Sequence, residues 1–213
     1  MRNKRLISLL AIVLLIAASY VLGWSTFFTV SSVEIKGTNA FLPMTVHVGE
    51  KLARVEPRAV AATYEKFDFV QNAKTSRNWI TGKVTIEITP RTPIAMYNNQ
   101  AIDDLGKAFV LVGKSSSDLP RIQAVNVEAA LVATDFFSSL PDEIKSALVT
   151  LKVRSTGAYV LEVNVAGRSV EVRWGLPTDN ALKAKVYKAL LAQPENALVK
   201  RIDLSAPHAP IVK

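Results

Sequence analysis

The chain has 213 residues, with 26 Lys and Arg against 18 Asp and Glu for a formal net charge of +8, and it contains no cysteine. That length holds one large or two small domains, and the missing thiols exclude a disulfide scaffold or a cysteine nucleophile. The positive excess is spread along the chain without a run of five or six like charges. Such a surface is mildly attracted to anionic headgroups or wall polymers but forms no nucleic-acid footprint.

Arg2, Lys4 and Arg5 precede a run over residues 6–24 that carries no charge. Extended as a helix to Phe28, that run reaches roughly the 30 Å of a hydrocarbon core. The positive residues stay cytoplasmic. The expected layout is a cytoplasmic tail at 1–5, a transmembrane helix at 6–28 and an extracytoplasmic remainder. A cleaved signal also starts basic and carries small residues such as Ala17, Ala18 and Ser19. Its apolar region, however, usually runs about 7–15 residues, and this run ends on Trp24, Phe27 and Phe28, suited to a headgroup interface.

Val33, Glu34, Ile35 and Lys36 alternate and stop at Gly37, the pattern of a strand and turn. Pro43 is expected to open a helical turn over 44–48, and Pro57 a helix to about Phe67 with Val60, Tyr64 and Phe67 on one side. Residues 70–79 read as extended. Val84, Ile86 and Ile88 alternate with Thr85, Glu87 and Thr89, a half-buried strand. Pro90 and Pro93 then interrupt pairing and mark a boundary.

Beyond Pro93 the pattern is mostly β. Strands are expected over 95–102 and 108–112 around an Asp103-Asp-Leu-Gly106 turn, followed by a polar loop at 115–118. A helix is expected within 136–148, starting near Pro141 with Asp142 and Glu143 in its first turn. Three strands follow, at 148–155, 159–166 and 169–174. Thr178 or Asp179 caps a helix over 180–193 with Leu182, Val186, Ala189 and Leu190 inward and Lys183, Lys185 and Lys188 toward water. Residues 199–204 form a last strand, and Pro207 and Pro210 argue against pairing beyond it.

Catalytic groups are sparse. His47 and His208 are the only histidines, so no H-x-x-x-H metal pair arises, and no G-x-S-x-G elbow supports a triad. Asp103 with Asp104 and Asp142 with Glu143 are visible acid pairs that a glycoside hydrolase would need, but each also serves as a turn or helix start. Gly106 and Gly113 form no phosphate-cradling loop. The expectation is no enzyme, no metal and no cofactor.

The order of motifs resembles the FtsQ/DivIB family of bacterial cell-division proteins. Phe28-x-Val30-x-x-Val33-x-Ile35-x-Gly37 is similar to the start of that family's POTRA domain. Phe69-Val70-x-x-Ala73-x-x-x-Arg77-x-Trp79 is similar to its second POTRA signature, and Arg91-x-Pro93-Ile94-Ala95 to the exit from it. Ile102-Asp103-x-x-Gly106-x-x-Phe109, Leu119-Pro120-Arg121-Ile122, the stretch from Gly167 to Gly175, the Lys183-Lys185 helix and Ile202-Asp203-Leu204 resemble parts of its β domain.

The resemblance implies an α+β fold in which a transmembrane helix leads to a small POTRA domain (strand-helix-helix-strand-strand) at 29–95. A mostly antiparallel β domain with a C-terminal helix and edge strand would occupy 96–206, and a tail 207–213. It implies a non-enzymatic, single-pass divisome scaffold, concentrated at the septum, that links the membrane division machinery to septal peptidoglycan synthesis. Partners would be FtsB- and FtsL-type proteins, plus other divisome membrane proteins through the POTRA domain and the span. The partner strand would add to the last strand at Ile202, Asp203, Leu204, Ser205 and Ala206, where an exposed edge supplies backbone bonds. An anchored wall hydrolase and a POTRA-type chaperone for exported polypeptides are the alternatives.

Overall fold

A computed structural model describes residues 2–24, 27–112 and 116–213, with side chains in the first helix described for residues 7–21. The expected charges at Arg2, Lys4 and Arg5, the interfacial Trp24, and Gly113 and Ser115 lie outside the described side chains. Helix α1 runs Arg2–Trp24, and its described side chains are exposed. Among the described residues no helix is long and apolar enough to cross a membrane. The remainder divides between Arg91 and Thr92 into two compact units.

In the first unit β1 (Ser32–Lys36), α2 (Pro57–Tyr64), β2 (Val70–Arg77) and β3 (Lys83–Pro90) form a three-stranded sheet in the order β1-β3-β2 with one helix against it. Strand β1 runs parallel to β3, with Val33 opposite Val84 and Ile35 opposite Ile86, and β2 runs antiparallel. Alternation places Val84, Ile86 and Ile88 in the core with Val30, Leu52, Tyr64 and Val70. Gly37 adopts φ 87°, and a Cβ there would run into the Ile88 carbonyl, so the strand must end on glycine.

The helical turn expected over 44–48 is absent, so the order is strand, helix, strand, strand. The residues just after that segment, 49–52, are tied to residues 28–30. Val30 N–H donates to the Glu50 carbonyl at 2.8 Å, Gly49 N–H to the Val30 carbonyl at 2.8 Å and Leu52 N–H to the Phe28 carbonyl at 3.0 Å. The Tyr64 hydroxyl donates to the Pro43 carbonyl at 2.9 Å. The Pro43 carbonyl, which a local helix would use for its first bond, is thereby committed to Tyr64.

The second unit is one nine-stranded sheet. Its strands are β4 (Pro93–Tyr97), β5 (Gln100–Asp103), β6 (Ala108–Phe109), β7 (Arg121–Gln123), β8 (Leu148–Val153), β9 (Tyr159–Val165), β10 (Arg168–Gly175), β11 (Arg201–Asp203) and β12 (Ile211–Val212). The order is β12-β11-β10-β9-β8-β7-β4-β5-β6. Most pairs are antiparallel; β4 with β7, β7 with β8 and β10 with β11 are parallel. Parallel neighbours need a crossover. The chain through β5 and β6 makes one between β4 and β7, helices α3 (Val127–Ser139) and α4 (Asp142–Ala147) a second between β7 and β8, and α5 (Asn180–Leu191) a third between β10 and β11.

Several expectations are corrected here. The strand expected over 95–102 is a hairpin, because Asn98 adopts a left-handed φ of 51° that Asn tolerates and reverses the chain. The helix expected within 136–148 from Pro141 is α4, but two helices fill this region, α3 preceding it unforeseen. The first starts far earlier, where the Asn126 side chain accepts from Ala129 N–H at 2.9 Å and caps it. Lys183, expected in water, is 1% exposed, and its ammonium donates to the Leu176 carbonyl at 2.7 Å. Burial holds its pKa below the ordinary value against the nearby Asp179 charge.

The core of this unit gathers Phe136, Tyr159, Leu161, Val172, Trp174, Ile202 and Leu204. Phe136 stacks on Tyr159 at 4.1 Å and meets Trp174 edge-on at 6.0 Å. The Trp174 indole N–H is satisfied by the Asn180 side-chain oxygen at 2.8 Å.

Candidate functional site

Strand β11 is short because Val199 and Lys200 turn out of the 3-10 segment that follows α5, and residues 205–210 bend away after it. It lies parallel to β10, with Val172 opposite Ile202 and Arg173 opposite Asp203. Its other side is occupied, because β12 pairs antiparallel with it, Ile202 opposite Val212 and Asp203 opposite Ile211. Lys213 closes the pair, its N–H donating to the Arg201 carbonyl at 2.9 Å while its carbonyl accepts from Arg201 N–H at 2.9 Å. The last strand before Pro207 is therefore not an edge strand. Pro207 and Pro210 sit in the turn, and Pro210 precedes β12 without interrupting it. The sheet edge on this side belongs to β12.

The five residues expected to bind a partner are thus divided. Ile202 and Leu204 are buried in the core and present no side chain outward. Asp203 is half-buried on the opposite face, and Ser205 and Ala206 are exposed. Ser205 N–H donates to the Asp203 carboxylate at 3.0 Å. A Cβ on Gly175, at φ 78°, would lie 3.0 Å from the Ser205 Cα, so glycine lets the 205–206 turn rest against the end of β10.

A charge ladder crosses the same face. Glu171 accepts from Arg201 at 2.8 Å and from Arg173 at 3.1 Å, and Arg173 lies 3.9 Å from the Asp203 carboxylate. Partial burial pushes the Glu171 carboxyl up, but the Arg173 hydrogen bond and the two guanidinium charges outweigh it and hold its pKa below the ordinary value. The outward face of β10 and β11 is consequently polar and fixed, beside backbone that β12 leaves for a further strand.

The other candidates are absorbed locally. Asp103 is buried, its carboxylate accepting from Leu105 N–H at 3.1 Å and Lys107 N–H at 2.7 Å across the β5–β6 turn. Asp142 pairs with Lys145 at 2.8 Å, and Glu143 pairs with Lys188 at 3.1 Å. The latter pair borders a 320 Å³ groove lined by Ile144, Val165, Ala184, Tyr187 and Leu191. Burial there pushes the Tyr187 hydroxyl up to about 12. His47 lies 3.1 Å from the Glu50 carboxylate at the surface of the first unit. Among the described residues no three His, Cys, Asp or Glu side chains gather as a metal site. Sequence reasoning missed β12, whose only signal is the pair Ile211 and Val212 after Pro210.

These features define a class: a mixed α+β chain whose larger unit is a helix-backed sheet ending in a short C-terminal strand. The sequence profile described as Cell division protein FtsQ/DivIB, C-terminal, matches residues 94–205, which cover that sheet from β4 to the end of β11. The chain belongs to the FtsQ/DivIB family of cell-division proteins. It is 26% identical to the cell division protein FtsQ of Streptomyces venezuelae, over 98% of this chain and 83% of the relative. It is 25% identical to the FtsQ of Streptomyces bingchenggensis, over 91% of this chain and 79% of the relative. A 25% identity to the FtsQ of Salinibacter ruber covers 71% of this chain and 65% of that protein.

Proposed function

We propose that this chain is a non-enzymatic divisome scaffold, held at the septal membrane by α1. In this reading it links the division machinery to septal peptidoglycan synthesis by capturing FtsB- and FtsL-type partners at the C-terminal margin of the second sheet. The observation that carries the reading is the coincidence of the family match with a sheet whose last strand, β12, has one neighbour and an outward backbone. Strand addition there uses main-chain bonds for affinity and the side chains beside them for selectivity. Asp203, Ser205 and Ala206 supply those side chains, while Ile202 and Leu204 hold the strand from beneath.

The anchor is supported by the uncharged run at 6–24 and by α1, whose described side chains are exposed and, Tyr20 apart, apolar or small. Those fifteen described positions make about 22 Å of helix, and the neighbouring uncharged residues of the sequence extend it toward a hydrocarbon core. With the basic residues first, the N-terminus is cytoplasmic and both compact units are extracytoplasmic. The POTRA unit and α1 are the proposed contacts with other divisome membrane proteins.

The test is capture of an FtsB-type partner, co-purified with FtsL, by the full-length chain in detergent. Ala206→Glu and deletion of residues 211–213 are each expected to weaken capture at least tenfold, with circular dichroism unchanged for Ala206→Glu. Undiminished capture by both variants overturns the assignment of this margin.

A further inference from the structure

The turn between β2 and β3, residues 78–82, holds an apolar tip where loops are ordinarily polar. Ile80 is 97% exposed and Trp79 is 39% exposed. The tip is locked. The Asn78 side chain accepts from Ile80 N–H and Thr81 N–H, both at 3.0 Å, and Gly82 N–H donates to the Asn78 carbonyl at 2.9 Å. A Cβ on Gly82 would lie 2.6 Å from the Thr29 carbonyl, so the turn sits directly on the chain that follows α1. Ser31 fixes it there, its N–H donating to the Gly82 carbonyl at 2.8 Å and its hydroxyl to the Thr81 carbonyl at 2.6 Å.

Trp79 is oriented by two neighbours. Phe28 meets its ring edge-on at 6.1 Å, and the Arg77 guanidinium lies 5.0 Å over its face. Arg77 is itself held by the Leu52 and Val55 carbonyls at 2.7 and 2.6 Å. Beside Phe28, Phe27 is 86% exposed. The first unit therefore presents Phe27, Trp79 and Ile80 at one end, and not by looseness of the loop.

From these contacts we infer that the 78–82 turn, with Phe27, seats in the headgroup layer of an anionic bilayer and fixes the first unit against the membrane. The proposal rests on the reading of α1 as the anchor. Four Cα-to-Cα steps of chain lead from Trp24, the last of α1, to Phe28, a reach of at most about 14 Å. Adding the ring contact, Trp79 lies within roughly 20–25 Å of the helix end, a reach that takes in the headgroup layer, about 5–8 Å deep on each side, if that helix spans. An aromatic ring with an aliphatic tip is the composition that settles at such an interface. The turn carries no charge. Around it stand Arg77, Lys83 and Lys51, the last bridged through its backbone to Thr29, with Glu34 paired to Lys83 and Glu50 next to Lys51. Cations at this height are drawn to anionic lipid.

The cysteine-free sequence permits single-cysteine variants of the full-length chain in vesicles of seven parts phosphatidylcholine to three parts phosphatidylglycerol. Ile80→Cys, Asn39→Cys and Leu14→Cys each carry a nitrobenzoxadiazole label, quenched by nitroxide lipids. Asn39 follows the far end of β1, about 17 Å along the strand, and is exposed like Ile80. The expected result is quenching of Leu14→Cys by acyl-chain nitroxide, and quenching of Ile80→Cys by shallow nitroxide at least threefold greater than at Asn39→Cys. Quenched Leu14→Cys with Ile80→Cys no more quenched than Asn39→Cys overturns the lipid-seated turn and leaves the anchor standing. Unquenched Leu14→Cys overturns both.

Discussion

Strand β1 of the first unit and strand β11 of the second both lie parallel to a longer neighbour, β3 and β10, and both carry a short apolar-polar alternation. Val33, Glu34 and Ile35 stand in one, Ile202 and Asp203 in the other with Leu204 just past its end. Strand β1 has a single neighbour, and its apolar side chains are half-buried; β11 has two neighbours, and its apolar side chains are wholly buried. The open strand is guarded by charge, because Glu34 bonds Lys83 at 2.7 Å and Lys36 at 3.4 Å, and ionic side chains deter edge pairing. The closed strand is guarded by chain that returns after Pro210. Alternation thus decides which face goes inward, while the number of neighbours depends on residues elsewhere.

The comparison breaks most visibly under a buried charge. Leu204→Lys places an ammonium in the second core and is expected to cost about 4 kcal/mol. Ile35→Lys, whose chain can reach solvent, is expected to cost about 1–2 kcal/mol by the same burial argument. Urea unfolding followed by circular dichroism measures both, and equal costs would mean that β1 is as enclosed as β11. Because Leu204→Lys attacks folding, lost partner capture by that variant says little about contact, which is why Ala206→Glu is the better probe.

Next come the glycines at strand and turn ends. Gly37→Ala combines a left-handed φ with a collision at the Ile88 carbonyl and is expected to lose about 3 kcal/mol; Gly106→Ala, at φ 72° with open space around it, is expected to lose about 1 kcal/mol. Thermal melts of the two variants rank them, and the reverse order would refute the close approach of β1's end to β3.

The smallest expected effect is on acid stability. The folded-state pKa of Glu171 lies below its ordinary value of 4.5, so the ladder stabilises above that value and its contribution is lost as pH falls through the lowered pKa. Glu171→Gln should flatten the stability profile below about pH 4.5 by at most about 1 kcal/mol and leave its shape at pH 7 unchanged. An unaltered acid limb would show that the ladder is decorative.

Much of this fold was legible where period and burial coincide. Strands β3, β8, β9 and β10 follow from alternation, and α2 and α5 from proline or cap positions. What escaped depended on distant partners. Residues 44–48 read as a helical turn until the Pro43 carbonyl and the Thr45 N–H are seen held by the Tyr64 hydroxyl. A three-residue strand such as β7 has no period to detect, and α3 was hidden because its start is marked only by Asn126 and the first-turn Glu128. For the candidate margin, the polar outer face of β11 was readable from Arg201 and Asp203, whereas its loss of edge status was not. Two prolines argued against pairing, yet proline ahead of a strand costs no ladder bond.

The inward turn of Lys183 has a practical consequence. Its amine is sequestered against the Leu176 carbonyl while Lys185 and Lys188 remain at or near the surface of the same helix. Amine-reactive labelling of intact cells or vesicles would accordingly modify neighbours only a turn away and spare this one lysine while the second unit is folded. Its acylation state is a built-in gauge of whether that unit is intact, readable by peptide mapping without any added tag.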